Sequence, residues 1–371
     1  MIYTNKTGGI LTKDAKSHGL PIQQRIDWLI HHADRHSQEF QSPESWLARR
    51  RYQAKHPTDI MAFKCMDGRI NIPLATNTPY GIILPFRNLG GRFHLGWPHL
   101  GEVLAEHVQS MVQGRRTLAF VTYHYSKGDP CRGCAEFNYD TDAARRHTFE
   151  VKRQVEAVFG TGHSTVYPLV CGFETDEDAL VLHGSDGTIL DLSTISSENQ
   201  DTLPALLTRL YPDMPDQMRQ DLLPLVLGNI AHIAEIRRTN RELNIEHREW
   251  MICLGRGFDW LHMPNLALII GPYSPDLADP IRNAAGIIEA NMRAGRIPDD
   301  GFLLLASAPY HEIGVGHARA ELKSRFLSGF AANVIRTEFP KLAEKMHVLT
   351  AVLAWQSRAM EIIDCNTVHT A

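Results

Sequence analysis

Leu118-Ala119-Phe120-Val121-Thr122-Tyr123-His124 is a short run of apolar and β-favouring residues that ends on an imidazole. Its length and its β-branched and aromatic content read as a buried strand. Upstream, Ile60-Met61-Ala62-Phe63-Lys64-Cys65 has the same texture and ends on a thiol. Between the two lies an amphipathic stretch, with Leu100, Val103, Leu104, Val108 and Met111 at helical spacing. Strand, helix and strand in that order imply a crossover connection and hence parallel pairing. Further strands are expected at residues 81–85 and 166–171, and a helix near 143–159. Residues 178–182 and 188–192 read as a hairpin turned by Gly184-Ser185-Asp186-Gly187. The fold class expected is α/β, a mainly parallel sheet flanked by helices.

The pattern then recurs. Residues 202–243 are again helical in spacing, and Trp250-Met251-Ile252-Cys253 resembles the strand that ends at Cys65. Residues 267–273 parallel residues 81–86, and the apolar run 302–310 ends on His311 as the earlier one ends on His124. Cys65 and His124 are 59 residues apart, and Cys253 and His311 are 58 apart. This order and spacing predict an internal duplication. The expected organisation is a helical arm over 1–58, a zinc-binding catalytic domain over 59–195, a helical connector over 196–244 and a degenerate second copy over 245–371 that binds no metal.

At 371 residues and 43% apolar content the chain can bury a large core. A net charge of −4 gives no support for a nucleic-acid partner. No apolar run is long enough to span a bilayer, and Met1 to Gly19 lacks the apolar core of a signal peptide. Six cysteines are too few for a disulfide framework in a chain this long, so reduced, buried or metal-binding thiols are expected. The expected location is cytoplasmic, with no membrane partner.

Cys65 opens Cys65-Met66-Asp67-Gly68-Arg69, and His124 is followed in the next loop by Cys131 and Cys134. Two thiolates and a neutral imidazole neutralise a zinc ion and leave its fourth position open, the arrangement of catalytic zinc. If the chain stays extended beyond Cys65, then Cys65, Asp67 and Arg69 share one face. An ionised Asp67 can only accept hydrogen bonds, so it would orient a zinc-bound hydroxide, and Arg69 would brace it through a bidentate pair. A rival is a closed structural site of Cys65, His124, Cys131 and Cys134, which leaves Asp67 and Arg69 without a task.

These residues resemble the β-class carbonic anhydrases, whose signature is Cys-x-Asp-x-Arg on the first strand and His followed by Cys after the third. Phe86-Arg87-Asn88-Leu89-Gly90-Gly91 is similar to the family's second-strand signature. The nine residues between His124 and Cys134, together with the duplication, resemble the carboxysome shell branch. The resemblance implies two tandem units of that family's fold, with Cys65, His124 and Cys134 as zinc ligands and Asp67 and Arg69 as catalytic residues. Cys134 is preferred to Cys131 because Gly133-Cys134-Ala135 is similar to the small-residue setting of the family's cysteine. It also implies CO2 and bicarbonate as substrates, carboxysome association as a second possible location, and a homo-oligomer built on an intramolecular pseudo-dimer. The competing readings are a zinc hydrolase of carbonyl sulfide or carbon disulfide, and a non-catalytic scaffold protein with a structural zinc.

Overall fold

The structure, a computed structural model, describes residues 17–112, 115–195, 197–239, 247–258, 261 and 265–366. Residues 1–16 of the expected arm, residues 240–244 of the expected connector, and the side chains of Val108 and Met111 lie outside the described residues. The longer elements are α1 (Ile22–Gln41), α2 (Pro43–Lys55), β1 (Asp59–Cys65), β2 (Ile83–Asn88), α3 (Pro98–Val112), β3 (Thr117–Tyr125), α4 (Thr141–Phe159), β4 (Val166–Glu174), β5 (Ala179–His183) and β6 (Ile189–Asp191). They continue with α5 (Leu203–Leu210), α6 (Asp216–Thr239), β7 (Met251–Gly255), β8 (Ala267–Ile270), α7 (Ala278–Arg293), β9 (Phe302–Tyr310), α8 (Val315–Glu338), β10 (Met346–Ala354) and β11 (Ala359–Asn366). The chain is an α/β protein.

It divides into two compact units. Among the described residues, the first holds 47–66 and 70–239, and the second holds 17–46, 67–69 and 247–366. The first unit is built on a six-stranded sheet in the order β2-β1-β3-β4-β5-β6. Its first four strands are parallel, and β5 and β6 run antiparallel. Strands β3 and β4 are buried almost throughout, which is why they read as unbroken apolar runs rather than alternating ones. Asp140 caps α4 by accepting from Ala143 N–H, and Gly160 stops it in the left-handed region at φ 88°.

The second unit has five strands in the order β11-β10-β9-β7-β8, with β11 alone antiparallel. Helix α1 joins it through Ile22, Ile26, Leu29, Ala33 and Phe40, buried at helical spacing. The same helix carries a fully buried Arg25 that pairs with Asp300 and lies over the ring of Trp250.

Two strand boundaries differ from those the sequence suggests. Gly81 sits at φ 85° in a turn closed by Ile82 N–H to Pro79 O, so β2 starts at Ile83 and runs on to Asn88. Strand β4 does not stop at Cys171 but continues to Glu174.

Candidate metal centre and a buried charge network

The ladder between β1 and β3 pairs Asp59–Phe63 with Thr117–Val121 and then ends. Beyond it the Thr122 hydroxyl takes over, donating to Phe63 O at 2.9 Å. Cys65 and His124 thus lie at the carboxyl ends of parallel strands, where open α/β sheets form their binding crevices. Cys65 is fixed on its other side by β2: it registers with Asn88, and Met66 N–H donates to Asn88 O at 2.9 Å. The turn after β2 must come very close. Gly90 and Gly91 have φ 62° and 66°, and a Cβ on Gly91 would stand 3.1 Å from Thr122 O and 3.3 Å from Cys65 N. Only glycine suits that combination of conformation and space.

The loop after His124 then returns a second thiol. Cys134 is buried, and its carbonyl accepts from Phe137 N–H and Tyr139 N–H at 3.2 and 3.0 Å. Cys65 Sγ, Cys134 Sγ and an imidazole nitrogen of His124 lie within 4.8 Å of one another, all three residues buried. Cys131 is exposed, in the short turn Pro130–Arg132, and is not part of this group.

The donor chemistry fits a divalent cation. Tetrahedral zinc with bonds of about 2.3 Å to sulfur and 2.0 Å to nitrogen needs its ligand atoms roughly 3.5–4 Å apart. Electrostatics agree with the geometry. The hydrogen bond with Cys134, then burial, then the charge of Cys134 push the Cys65 thiol well above its ordinary range, while His124 pulls the other way. Two thiols facing each other in a dry site resist ionisation, and a cation between them removes that penalty.

Asp67 and Arg69 form a second buried group, and here the expected geometry is corrected. Strand β1 ends at Cys65, so the chain is not extended through Arg69. Asp67 Oδ1 accepts from Arg69 N–H at 2.8 Å, a local side-chain turn that competes with strand pairing. The guanidinium folds back on the same carboxylate, with Nε 3.0 Å from Oδ1 and Nη2 2.6 Å from Oδ2. Both side chains are about 95% buried.

The pair continues into His247 and Glu249, which the sequence did not single out. Arg69 Nη2 lies 3.3 Å from His247 Nε2, and His247 Nδ1 lies 3.0 Å from Glu249 Oε2. Glu249 is fully buried and also accepts from Gly68 N–H at 3.3 Å. Burial opposes charge on His247, but Glu249 outweighs it and raises the histidine above its ordinary range. Glu249 feels the converse: burial pushes it up, and His247 brings it below the usual carboxylate range. The only sequence hint was a His-x-Glu pair immediately before a strand.

In the second unit, Cys253 is buried in β7 and His311 is exposed just beyond β9. Gly255 and Gly257 stand at the spacing of Asp67 and Arg69 after Cys65. A Cβ on Gly255 would lie 1.9 Å from Ser307 O, and one on Gly257 would lie 2.5 Å from the Leu353 side chain. No acid or base can be carried there on this backbone.

Residues 103–197 match the family model of the carboxysome shell carbonic anhydrase catalytic domain. That stretch, about a quarter of the chain, is similar to the carboxysome shell carbonic anhydrases. That family is one of carbonic anhydrases. The match includes His124 and Cys134 and ends before the strands of the second sheet begin; Cys65, Asp67 and Arg69 precede it. The cluster of Cys65 with His124 and Cys134 is therefore a result of the fold, independent of the match. No curated protein matches the chain. Among the described residues no helix is long and apolar enough to cross a membrane.

Proposed function

We propose that the chain catalyses the reversible reaction CO2 + H2O ⇌ HCO3⁻ + H⁺ at a zinc ion held by Cys65, His124 and Cys134. The observation that carries this reading is the convergence of those three ligand atoms within 4.8 Å in the interior, inside an α/β unit whose sequence matches a carbonic anhydrase family. Zinc, when bound, supplies the Lewis acidity that makes a hydroxide nucleophile available near neutral pH. The protein's own groups do the rest. Asp67 follows Cys65 by two residues and, ionised, can only accept a hydrogen bond, so it turns the proton of the attacking hydroxide away from CO2. Arg69 holds Asp67 ionised and in one orientation through their bidentate contact. The exposure of Cys131 argues against the closed site of three cysteines and one histidine.

The second unit is proposed to be a silent copy of the first. In support, β8-β7-β9-β10-β11 repeats the order and pairing sense of β2-β1-β3-β4-β5. Carboxysome association is proposed from the family match alone. Metal analysis with stopped-flow CO2 hydration tests the reading: one zinc per chain and turnover lost with Cys65→Ser support it, whereas a metal-free wild type or zinc without hydration overturns it.

A further inference from the structure

Of the nine residues between His124 and Cys134, Tyr125 ends β3 opposite Glu174 and the other eight join no ladder, yet each end of this loop carries one of the proposed metal ligands. Its first half is held by two carboxylates, one at the end of β4 and one in the turn after it. Glu174, fully buried, accepts from Lys127 N–H at 3.0 Å, and from Asp176 N–H and Glu177 N–H at 3.1 and 3.0 Å. Asp176 accepts from Gly128 N–H at 2.7 Å and from the Ser126 hydroxyl at 2.8 Å. Ser126 Oγ in turn accepts from Asp129 N–H at 3.1 Å, and Asp129 Oδ1 accepts from Cys131 N–H at 2.9 Å. Arg132 N–H and Gly133 N–H then close turns on Asp129 O and Pro130 O. One hydrogen-bonded chain thus leads from Glu174 and Asp176 through the loop to the residue before Cys134.

Nothing else explains a buried Glu174. Among the described residues it meets three N–H donors, and the Lys127 ammonium reaches instead to Asp191 and Ser193 at 2.9 and 2.8 Å. Burial raises this carboxyl to about 7. A buried carboxylate without a counter-ion is costly, so a group that persists there does so for the order it imposes.

We propose that Glu174 and Asp176 are positioning residues for the metal centre, a carboxylate strap that fixes the long His124–Cys134 loop so that Cys134 Sγ stands opposite Cys65 before metal binds. This rests on the proposed ligand set, although the strap is a contact of the protein alone. Asp176→Asn and Glu174→Gln keep volume but leave one acceptor oxygen in place of two, the other becoming an NH2 group that cannot accept from the loop's donors.

The test measures thermal unfolding of the full chain with and without zinc, and trypsin cleavage after Lys127 and Arg132. With the strap cut, the metal-free midpoint should stay near that of wild type. The gain in midpoint on adding zinc should shrink, corresponding to roughly 10-fold weaker zinc binding or more. Cleavage after Lys127 should become fast in both variants and remain slow in wild type. A variant that loses stability equally with and without zinc would show a merely structural role and overturn the proposal. So would wild-type zinc binding with the loop cleaved. If zinc fails to stabilise wild type at all, the ligand assignment falls. The strap then stands or falls on cleavage: slow in wild type and fast in Asp176→Asn upholds it, and equal rates in both overturn it.

Discussion

His247 Nδ1 lies 3.0 Å from Glu249 Oε2, and the two bind as an ion pair against which the Arg69 guanidinium rests. The histidine is raised and the glutamate lowered, so the sign of the pH effect is fixed. The His247 contribution is fully present below about pH 6.5, its unfolded value, and is lost as pH rises through the higher folded one. The Glu249 contribution is present above about pH 4.3 and is lost as pH falls below it. Glu249→Gln should therefore destabilise the protein most between about pH 4.5 and 6.5, with the penalty shrinking toward pH 9. Thermal midpoints of both proteins across that range check this, and a difference independent of pH would refute the ion pair.

The proposed ligand set predicts metal stoichiometry residue by residue. Cys65→Ser, His124→Ala and Cys134→Ser should each purify with little or no zinc, whereas Cys131→Ser should keep it, because the Cys131 side chain is exposed and outside the cluster. Elemental analysis decides. Zinc lost from both Cys131→Ser and Cys134→Ser would instead indicate the closed four-ligand site.

Asp67 and Arg69 touch each other rather than lying in the ligand cluster, so metal binding and turnover should separate. Asp67→Asn and Arg69→Ala should retain zinc and lose CO2 hydration by about 10²-fold, the scale of removing one preorganised electrostatic contact. Arg69→Ala should also lower stability by about 3 kcal/mol, since it leaves Asp67 buried and unpaired. Stopped-flow hydration near the wild-type rate in both variants would remove the dyad from the mechanism.

Much of this architecture could be read directly from sequence because buried parallel strands carry nearly unbroken apolar runs. Leu118 to Tyr123 and Phe302 to Ala308 are of that kind. Cys65 and His124 drew notice for the same reason, since each ends such a run, whereas Cys134 was preferred to Cys131 through the resemblance of Gly133-Cys134-Ala135 to the family's setting; the three lie together in the fold. The path after Cys65 was not. Asp67 has a local partner in Arg69 N–H, and a two-residue polar turn leaves no trace in hydrophobic periodicity. Glu174 was hidden because β4 carries an apolar phenylalanine and then a carboxylate whose burial is decided by the N–H groups of a loop about 50 residues away. His247 and Glu249 were invisible in the same sense, because their partners are set by tertiary structure.

The proposed silence of the second unit gives the last prediction. If its inactivity came only from missing side chains, writing the motif back with Gly255→Asp and Gly257→Arg would create a second acid–base pair beside Cys253. The backbone forbids it. Gly255 has φ 127° with Ser307 O 1.9 Å from any Cβ, and Gly257 has φ 90° with Leu353 in the way. An aspartate at 255 must adopt a glycine-only conformation and also displace a main-chain carbonyl of β9, which pairs with β7 at that residue. Gly255→Asp alone should therefore cost at least about 2 kcal/mol, or several degrees in Tm, and should gain neither zinc nor turnover. Cys253→Ala with His311→Ala, by contrast, should leave zinc content and hydration rate unchanged. A stable Gly255→Asp, Gly257→Arg protein carrying additional zinc would show that the second unit lost its site by substitution alone, with its backbone still competent.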